Sequence, residues 1–485
     1  MKPNDSLINT LSDIQDEIEK ICLPFIKESS SAILSLSNLI AYLSLRNRDQ
    51  SEIQINLLQE GLTPIQDIHP HVQYSIQKML NNLNKEDIHI NDLLDTQLSN
   101  QIKEDRVNRL FGFKTPSIMV TLHSSMIDNP EIIKDLLYHG MNIARINCAH
   151  DSPQIWKKLV QHVRDAEREI GRDEPKCKIH MELAGPKIRV KKIFEPEKSS
   201  ALDEKPYFKV MPGDDITIIK KNHTLNSFSE QTKVISINAT GALTNVRLKD
   251  RIYFHDGKIV GEISSITDDW VRIKILKTNK KTAKLREENG INLPDSFVHF
   301  ILSAITEEDL KNLPIIYDLS DSIGLSFVHF PRDLAKFRMH LDSLPHKKIS
   351  VIAKIETKEA VQNLSKIIIE GLAFDSFGIM IARGDLAVEL GLNQLAFIQE
   401  EILNICRAAH IPIIWATGVL ENQTKKGMPL RSEITDAYMG LRADCIMLNK
   451  GEFIIESVKT LNDLILMKQS ITSRLGNKTF IQYGF

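Results

Sequence analysis

Between residues 117 and 449 one pattern recurs: a short, almost wholly apolar run, then an amphipathic stretch of helical period, directly or after an insertion. Eight runs carry it: SIMVTL (117–122), MNIARI (141–146), KIHMEL (178–183), SIGLSFV (322–328), ISVIAKI (349–355), FGIMIA (377–382), IPIIWAT (411–417) and DCIMLN (444–449). Runs of this length read as strands covered on both faces, and their alternation with helices is the pattern of βα units in a parallel sheet. Eight such units point to an α/β fold, the (β/α)8 TIM barrel, whose functional side chains sit where the strands stop. Local punctuation agrees: Asn129-Pro130-Glu131 reads as one helix start and Gly140 as its end, while Thr357 and Gly371 bracket another helix.

The repeat is broken once. After the third run, DDITIIK, KVISINA, NVRLKDRIYF, IVGEISSI and WVRIKIL are short strand patterns separated by the turn signals PGD, HDGK and DD, which predicts a small all-β domain mounted on a barrel loop as a lid. Residues 1–110 carry apolar positions three and four apart and read as a helical N-terminal unit. The expected division is therefore 1–110 helical, 111–191 first part of the barrel, 192–290 lid, and 291–485 second part of the barrel. The helical unit holds no cluster of His, Cys or carboxylates that suggests chemistry, so packing or oligomer contact is its expected role, and a homo-oligomer stays open.

Charge narrows the partners. Lys+Arg of 61 against Asp+Glu of 63 leaves no global basic field for nucleic acid or an anionic membrane, so anions must be caught by local clusters. The five cysteines are scattered without C-x-x-C spacing, which argues against a disulfide framework or a zinc site. With no signal-like start and no apolar run near the ~18 residues that span a bilayer, a cytoplasmic protein is expected.

The strand ends carry the chemistry. Arg145 and Asn147 share one face of the second run, with His150 just beyond; a guanidinium beside a carboxamide suits phosphate, or a salt bridge with a capping Asn. Gly185-Pro186 after the third run force a turn expected to bring Glu182, Lys187 and Arg189 together, either for anion handling or as surface charge. Lys354 lies inside a strand buried on both faces, with Glu356 two residues on and on the same side. A buried ammonium is costly unless paired or used, so these two form a structural pair or hold a metal and neutralise developing charge. Gly384 lets backbone N–H groups approach an anion and Asp385 is a hard oxygen ligand suited to Mg²⁺, whereas Thr417 is either functional or a turn residue.

Taken in order, MNIARINCAH, MELAGPKIR, the insertion with HDGK, NGINLP, GLSFV, KIETKEAV, GIMIARGDLAVELG, PIIWATGVLENQTKK and RADCIMLNKGE resemble the pyruvate kinase family. LIAYLSLRNRD and EGLTPIQDI also resemble the helical extension of a longer bacterial pyruvate kinase-like group. The resemblance implies transfer of a phosphoryl group from phosphoenolpyruvate to ADP with Mg²⁺ or Mn²⁺, giving pyruvate and ATP. It implies Glu356 and Asp385 as metal ligands, Lys354 as the charge that neutralises the phosphoryl group in flight, and Ala382, Arg383, Gly384, Asp385 and Thr417 as the substrate cradle. Thr417 would also sit near the enolate that takes up a proton. Arg145, Asn147 and Arg189 would face phosphates, His150 the nucleotide, and Asp256 would approach as the lid closes over the site to exclude water.

Three departures qualify the match. The potassium-holding positions of many members read Asn147, Ala149, Glu182 and Leu183 here, while Lys187 stands where potassium-independent members carry Lys, so Lys187 is expected to replace the monovalent cation. Glu182 is one methylene longer than the usual Asp, and Asn289 replaces a Lys that contacts nucleotide phosphates, unless Arg286 or Lys258 compensates. The chain ends soon after the eighth helix, so the C-terminal regulatory domain of many members is not expected. The leading reading is a potassium-independent pyruvate kinase. A second is a catalytically weakened relative that binds phosphoenolpyruvate or nucleotide as a sensor or interaction module, and a third is a metal-dependent aldolase-like barrel.

Overall fold

The computed structural model describes residues 3–22, 30–85, 93–112, 116–194, 206–220, 228, 232–296, 303–345 and 347–472. The N-terminal unit contains α1 (Pro3–Cys22), α2 (Ser31–Arg46), α3 (Ser51–Gln59), α4 (Val72–Asn84) and α5 (Thr96–Phe111). Leu7, Leu11, Ile14 and Ile18 line one side of α1 at spacings of three and four and are fully buried. The start of α5 is fixed by Asp95, whose carboxylate accepts from the Leu98 N–H at 2.7 Å.

The eight apolar runs form β1 (Ser117–Thr121), β2 (Met141–Asn147), β3 (Lys178–Glu182) and, beyond the insertion, five further strands. The insertion supplies β4 (Val190–Phe194), β5 (Tyr207–Val210), β6 (Asp215–Ile219), β7 (Lys233–Ile237), β8 (Arg251–Phe254), β9 (Ile259–Ile266), β10 (Trp270–Thr278), β11 (Ala283–Arg286) and β12 (Ile291–Asn292). The ring then continues with β13 (Ser322–Leu325), β14 (Ser350–Ile355), β15 (Phe377–Ala382), β16 (Ile413–Ala416) and β17 (Cys445–Leu448). All eight ring strands are parallel, and the closed order β1-β17-β16-β15-β14-β13-β3-β2 makes neighbours of β3 and β13 across the whole insertion. The inserted domain folds as a seven-stranded sheet and a two-stranded sheet around its own apolar core, which includes Ile216, Ile235, Phe254 and Ile273.

Two boundaries differ from the sequence expectation. The helix expected to open at Asn129 runs Glu131–Tyr138 with Pro130 as its cap residue and no side-chain cap. The helix expected between Thr357 and Gly371 is two, Lys358–Gln362 and Leu364–Gly371. Asn363 breaks it, turning its amide to the carbonyls of Glu359 and His329 at 3.0 and 3.1 Å in competition with the helical ladder.

Inside the ring, side chains alternate with period two, so each strand presents every second residue to the interior. At the floor these residues are apolar: Met119, Ile143, Ile352, Met380, Ile414 and Cys445 pack with Val107, Leu110 and Phe111 of α5, which plugs the N-terminal end of the barrel. Gly378 permits that approach, since a Cβ there would lie 2.5 Å from the Leu110 Cδ2. The rest of the N-terminal unit docks on the C-terminus of helix Leu392–Ala408, where carbonyls lack intrahelical partners. Asn38 donates to Ala408 and Arg106 to Ala409, both at 2.8 Å. Among the described residues, no helix is long and apolar enough to cross a membrane.

Candidate active site

Two residues further along the same inward face, polarity reverses. Ile143 is followed by Arg145 and Ile352 by Lys354 and Glu356, so the charged side chains gather at the C-terminal mouth. Glu182, at the end of β3, is their hub. It receives a two-bond fork from Arg145, each bond 2.6 Å, and lies 3.2 Å from the Lys354 Nζ. Gly324 across the β3–β13 pair leaves room for it, since a Cβ there would meet the Glu182 Cγ at 2.8 Å. Burial opposes ionising Glu182, but the Arg145 and Lys354 charges outweigh it and hold the carboxyl well below its ordinary range. The Arg145 guanidinium is completed by Thr121 at 2.8 Å. It thus meets Glu182 in a buried ion pair, and the Asn147 amide oxygen caps the Ala149 N–H at 3.0 Å.

Lys354 is fully engaged. Its Nζ lies 3.0 Å from the Glu356 Oε1 and 3.1 Å from the Ser326 hydroxyl, which in turn donates to the Leu183 carbonyl. Despite burial, the Glu182 and Glu356 charges raise its pKa, so the ammonium form is the one present. The Glu356 Oε2 accepts from the Phe327 N–H at 2.7 Å. Burial pushes the Glu356 carboxyl upward, Lys354 pulls it down and the Asp385 charge pushes it up again.

Asp385 stands in the first turn of helix Arg383–Leu390, 2.8 Å from the Lys187 Nζ. Burial again opposes its charge, and Lys187 outweighs burial to hold the carboxyl below its ordinary range. Lys187 also reaches Asp256 of the inserted domain at 3.6 Å, the point where the lid meets the mouth. Glu182, Lys187 and Arg189 therefore do not form the cluster expected from the Gly185-Pro186 turn. Glu182 faces Arg145, Lys187 faces Asp385, and Arg189 donates to the Glu288 carbonyl at 3.0 Å. The turn itself is held by Asp309, which accepts from the Ala184 and Gly185 N–H groups at 2.8 and 3.2 Å.

On the far side of Asp385, the Arg383 side chain is spoken for: it forks onto Asp436, donates to the Ala416 and Thr417 carbonyls and stacks over Trp415. The expectation of an anion cradle at Ala382, Arg383 and Gly384 therefore falls on their backbone and not on the Arg383 side chain. Thr417, a β-branched residue, is held at φ +68, a conformation that costs roughly 1–3 kcal/mol and is typical of ligand sites. His150 is lowered by burial and by the nearby Arg189 and Lys450 charges, which keeps the imidazole neutral at the rim. Asn289 is used inside the lid, its amide oxygen accepting from the Arg286 N–H at 2.8 Å, and Lys258 pairs with His255 at 2.9 Å.

Three cations, Arg145, Lys187 and Lys354, thus oppose three carboxylates, the buried Glu182 and Glu356 and the partly buried Asp385. Among the described residues no group of three or more His, Cys, Asp or Glu could cage a metal. Two oxygen donors still fit Mg²⁺, which commonly takes one or two carboxylates and completes its shell with water and substrate phosphate. The Asp385 charge pushes Glu356 upward, a like-charge repulsion that a divalent cation held by the two carboxylates would relieve. Sequence reasoning treated Glu182 as a departure and passed over Ser326, Phe327, Asp309 and Asp436. The two-residue parity from Arg145 and Lys354 was the signal that could have found the hub.

The family model for the pyruvate kinase barrel domain matches residues 113–458. A pyruvate kinase of Thermotoga maritima is 29% identical over 343 residues, covering 69% of this chain and 67% of its own length. Pyruvate kinase 1 of Trypanosoma brucei brucei is 30% identical over 70% of this chain and 65% of its own, and a Dictyostelium discoideum pyruvate kinase 29% over 71% and 64%. The chain spans between about half and two thirds of the length of these and the other curated relatives it matches.

Proposed function

The chain belongs to the pyruvate kinase family, and from that premise we propose that it transfers a phosphoryl group from phosphoenolpyruvate to ADP, yielding pyruvate and ATP. One observation carries the reading: Lys354, Glu356 and Asp385 lie in one cluster of charges at the barrel mouth, the first two buried and the third partly so, where each carboxylate has an ammonium beside it. Phosphoryl transfer is largely positioning and charge compensation, and this is a pre-arranged set of both signs.

In this reading Glu356 and Asp385 hold the divalent cation, which supplies Lewis-acid stabilisation of phosphoryl oxygens when bound. The Lys354 ammonium, fixed by Glu182, Glu356 and Ser326, compensates charge on the moving phosphoryl group. The first N–H groups of helix Arg383–Leu390 take the substrate carboxylate, with the Thr417 hydroxyl beside the enolate carbon that receives a proton. Arg145, locked to Glu182, fixes that carboxylate and adds positive charge behind the phosphate. Asn147, His150 and Arg189 line the nucleotide side, and Asp256 brings the lid onto Lys187. Lys187 supplies at Asp385 a permanent positive charge, and we assign to it the role of a monovalent cation, so that K⁺ is not required. A cytoplasmic location belongs to the same reading.

The test is a lactate dehydrogenase-coupled assay with phosphoenolpyruvate, ADP and Mg²⁺, with and without K⁺. Expected is turnover that changes less than twofold on adding K⁺; many-fold activation would remove the Lys187 role. The sensor reading rests on the engagement of Asn289 within the lid. It predicts no turnover but a Mg²⁺-dependent thermal shift from phosphoenolpyruvate.

A further inference from the structure

On the barrel face opposite the mouth, a cavity of about 230 Å³ lies between the N-terminal helices and the floor. It is lined by Asn100 and Lys103 of α5, by Arg407 in the last turn of helix Leu392–Ala408, and by Arg442 and Asp444 just before β17. Its volume is several times the roughly 30 Å³ a water occupies in the liquid.

The cations around it are unequally satisfied. Lys103 pairs with Asp444 at 2.6 Å, and Arg442 forks onto Glu400 with bonds of 2.5 and 2.6 Å. Arg407, half-buried, makes no side-chain hydrogen bond or ion pair with the described residues; Glu400, Asp444 and Asp67 act on it only through space. Burial and Arg442 push the Arg407 pKa down, and burial with Arg407 and Arg442 does the same to Lys468. Positive charges are therefore crowded here, while two of the nearest carboxylates are already committed to Lys103 and Arg442. A guanidinium with open N–H edges, beside a second arginine and a space larger than several waters, is the donor arrangement that phosphate oxygens accept. Asn100, a neutral amide, also lines the cavity.

We propose that this cavity binds a small phosphate-bearing anion through Arg407, assisted by Lys103 and Arg442, and so ties the N-terminal helices to the barrel floor. Bound there, the anion contacts α5 from one side and the end of helix Leu392–Ala408 from the other.

The experiment is isothermal titration calorimetry of the full chain at low ionic strength, with inorganic phosphate in one arm and a hexose 6-phosphate in the other. Because the mouth also attracts phosphate, Lys354→Met is titrated beside Arg407→Gln. Expected is saturable phosphate binding that Lys354→Met retains and Arg407→Gln weakens at least about tenfold. Tighter binding of the hexose phosphate identifies an organic phosphate as the natural class, and equal binding identifies free phosphate. No binding in any form, or binding that Lys354→Met abolishes and Arg407→Gln leaves intact, overturns the site. Should Arg407→Gln fail a far-UV circular dichroism check, Arg407→Lys, which keeps the charge but loses the fork, is expected to bind several-fold more weakly, and unchanged affinity in it overturns the site equally.

Discussion

The floor and the mouth of one barrel are built from the same strands on the same inward face, yet they hold opposite materials. On β14, Ile352 belongs to the apolar plug with Leu110 and Phe111, while Lys354, two residues later, is wedged between Glu182 and Glu356. At the floor, burial itself is the stabilising term and the contents are interchangeable hydrocarbon. At the mouth the charges of Arg145, Glu182, Lys187, Lys354, Glu356 and Asp385 are each held by an opposite charge, so removing one partner leaves another uncompensated. Damage at the two ends should therefore show in different measurements.

The largest effect is expected at the mouth. Glu356→Gln keeps the acceptor to the Phe327 N–H but removes the carboxylate proposed to hold the divalent cation and a partner of Lys354. It should lower kcat/KM about 10³-fold or more and weaken Mn²⁺ binding measured by electron paramagnetic resonance, with the chain still folded. Activity within tenfold of the parent would break the division. At the floor, Phe111→Ala should cost about 3–5 kcal/mol in urea unfolding and leave kcat of the folded enzyme unchanged. A large loss of kcat would show that the plug also shapes the mouth.

Below these comes a pH effect confined to the floor side. His410 is wedged between Ser35 and Ser99, with Nε2 2.8 Å from the Pro70 carbonyl, which can only accept; Nε2 therefore carries the proton and Nδ1 takes one from the Ser35 hydroxyl. Burial pushes its pKa from 6.5 down to about 3. The unfolded chain takes up a proton below pH 6.5 that folded His410 refuses, so stability is present above that pH and is lost as pH falls toward 3. The loss should reach about 2 kcal/mol by pH 5 in denaturant titrations, and a flat profile would mean that the imidazole is solvated.

A pH effect of the opposite sign sits where the lid meets the mouth. The Glu389 Oε1 accepts from the Asn292 amide at 3.2 Å, its Oε2 is buried without a hydrogen-bond partner among the described residues, and burial raises its pKa to about 8. An acid raised from 4.5 to about 8 destabilises the fold progressively as pH climbs between those values. Glu389→Gln should therefore raise stability at pH 8 by up to about 4 kcal/mol and at pH 5 by about 1 kcal/mol or less. Equal effects at both pH values would count against a protonated carboxyl.

Much of this was legible because periodicity is a local property. The eight runs became the eight ring strands, and the oddity of Lys354 in an all-buried strand already marked the mouth. What stayed hidden depends on register and long-range approach. Glu182 becomes a hub only when β3 pairs with β2 and, across the insertion, with β13, which no window of sequence displays. The docking of Ser35 and Ser99 on His410 joins residues more than 300 positions apart. The turn after β3 was misread for the same reason, since Glu182 before it is claimed by Arg145 of β2 and Lys187 beyond it by Asp385 of helix Arg383–Leu390.

The most direct test follows the phosphoryl group itself. Phosphorus NMR on the chain mixed with phosphoenolpyruvate, ADP and Mg²⁺ should show the phosphoenolpyruvate resonance giving way to those of ATP in the parent, and no ATP signals from Lys354→Met within the same time. Appearance of ATP at equal rates in both, or none in the parent although phosphoenolpyruvate binds, would contradict the role given to the ammonium at the barrel mouth.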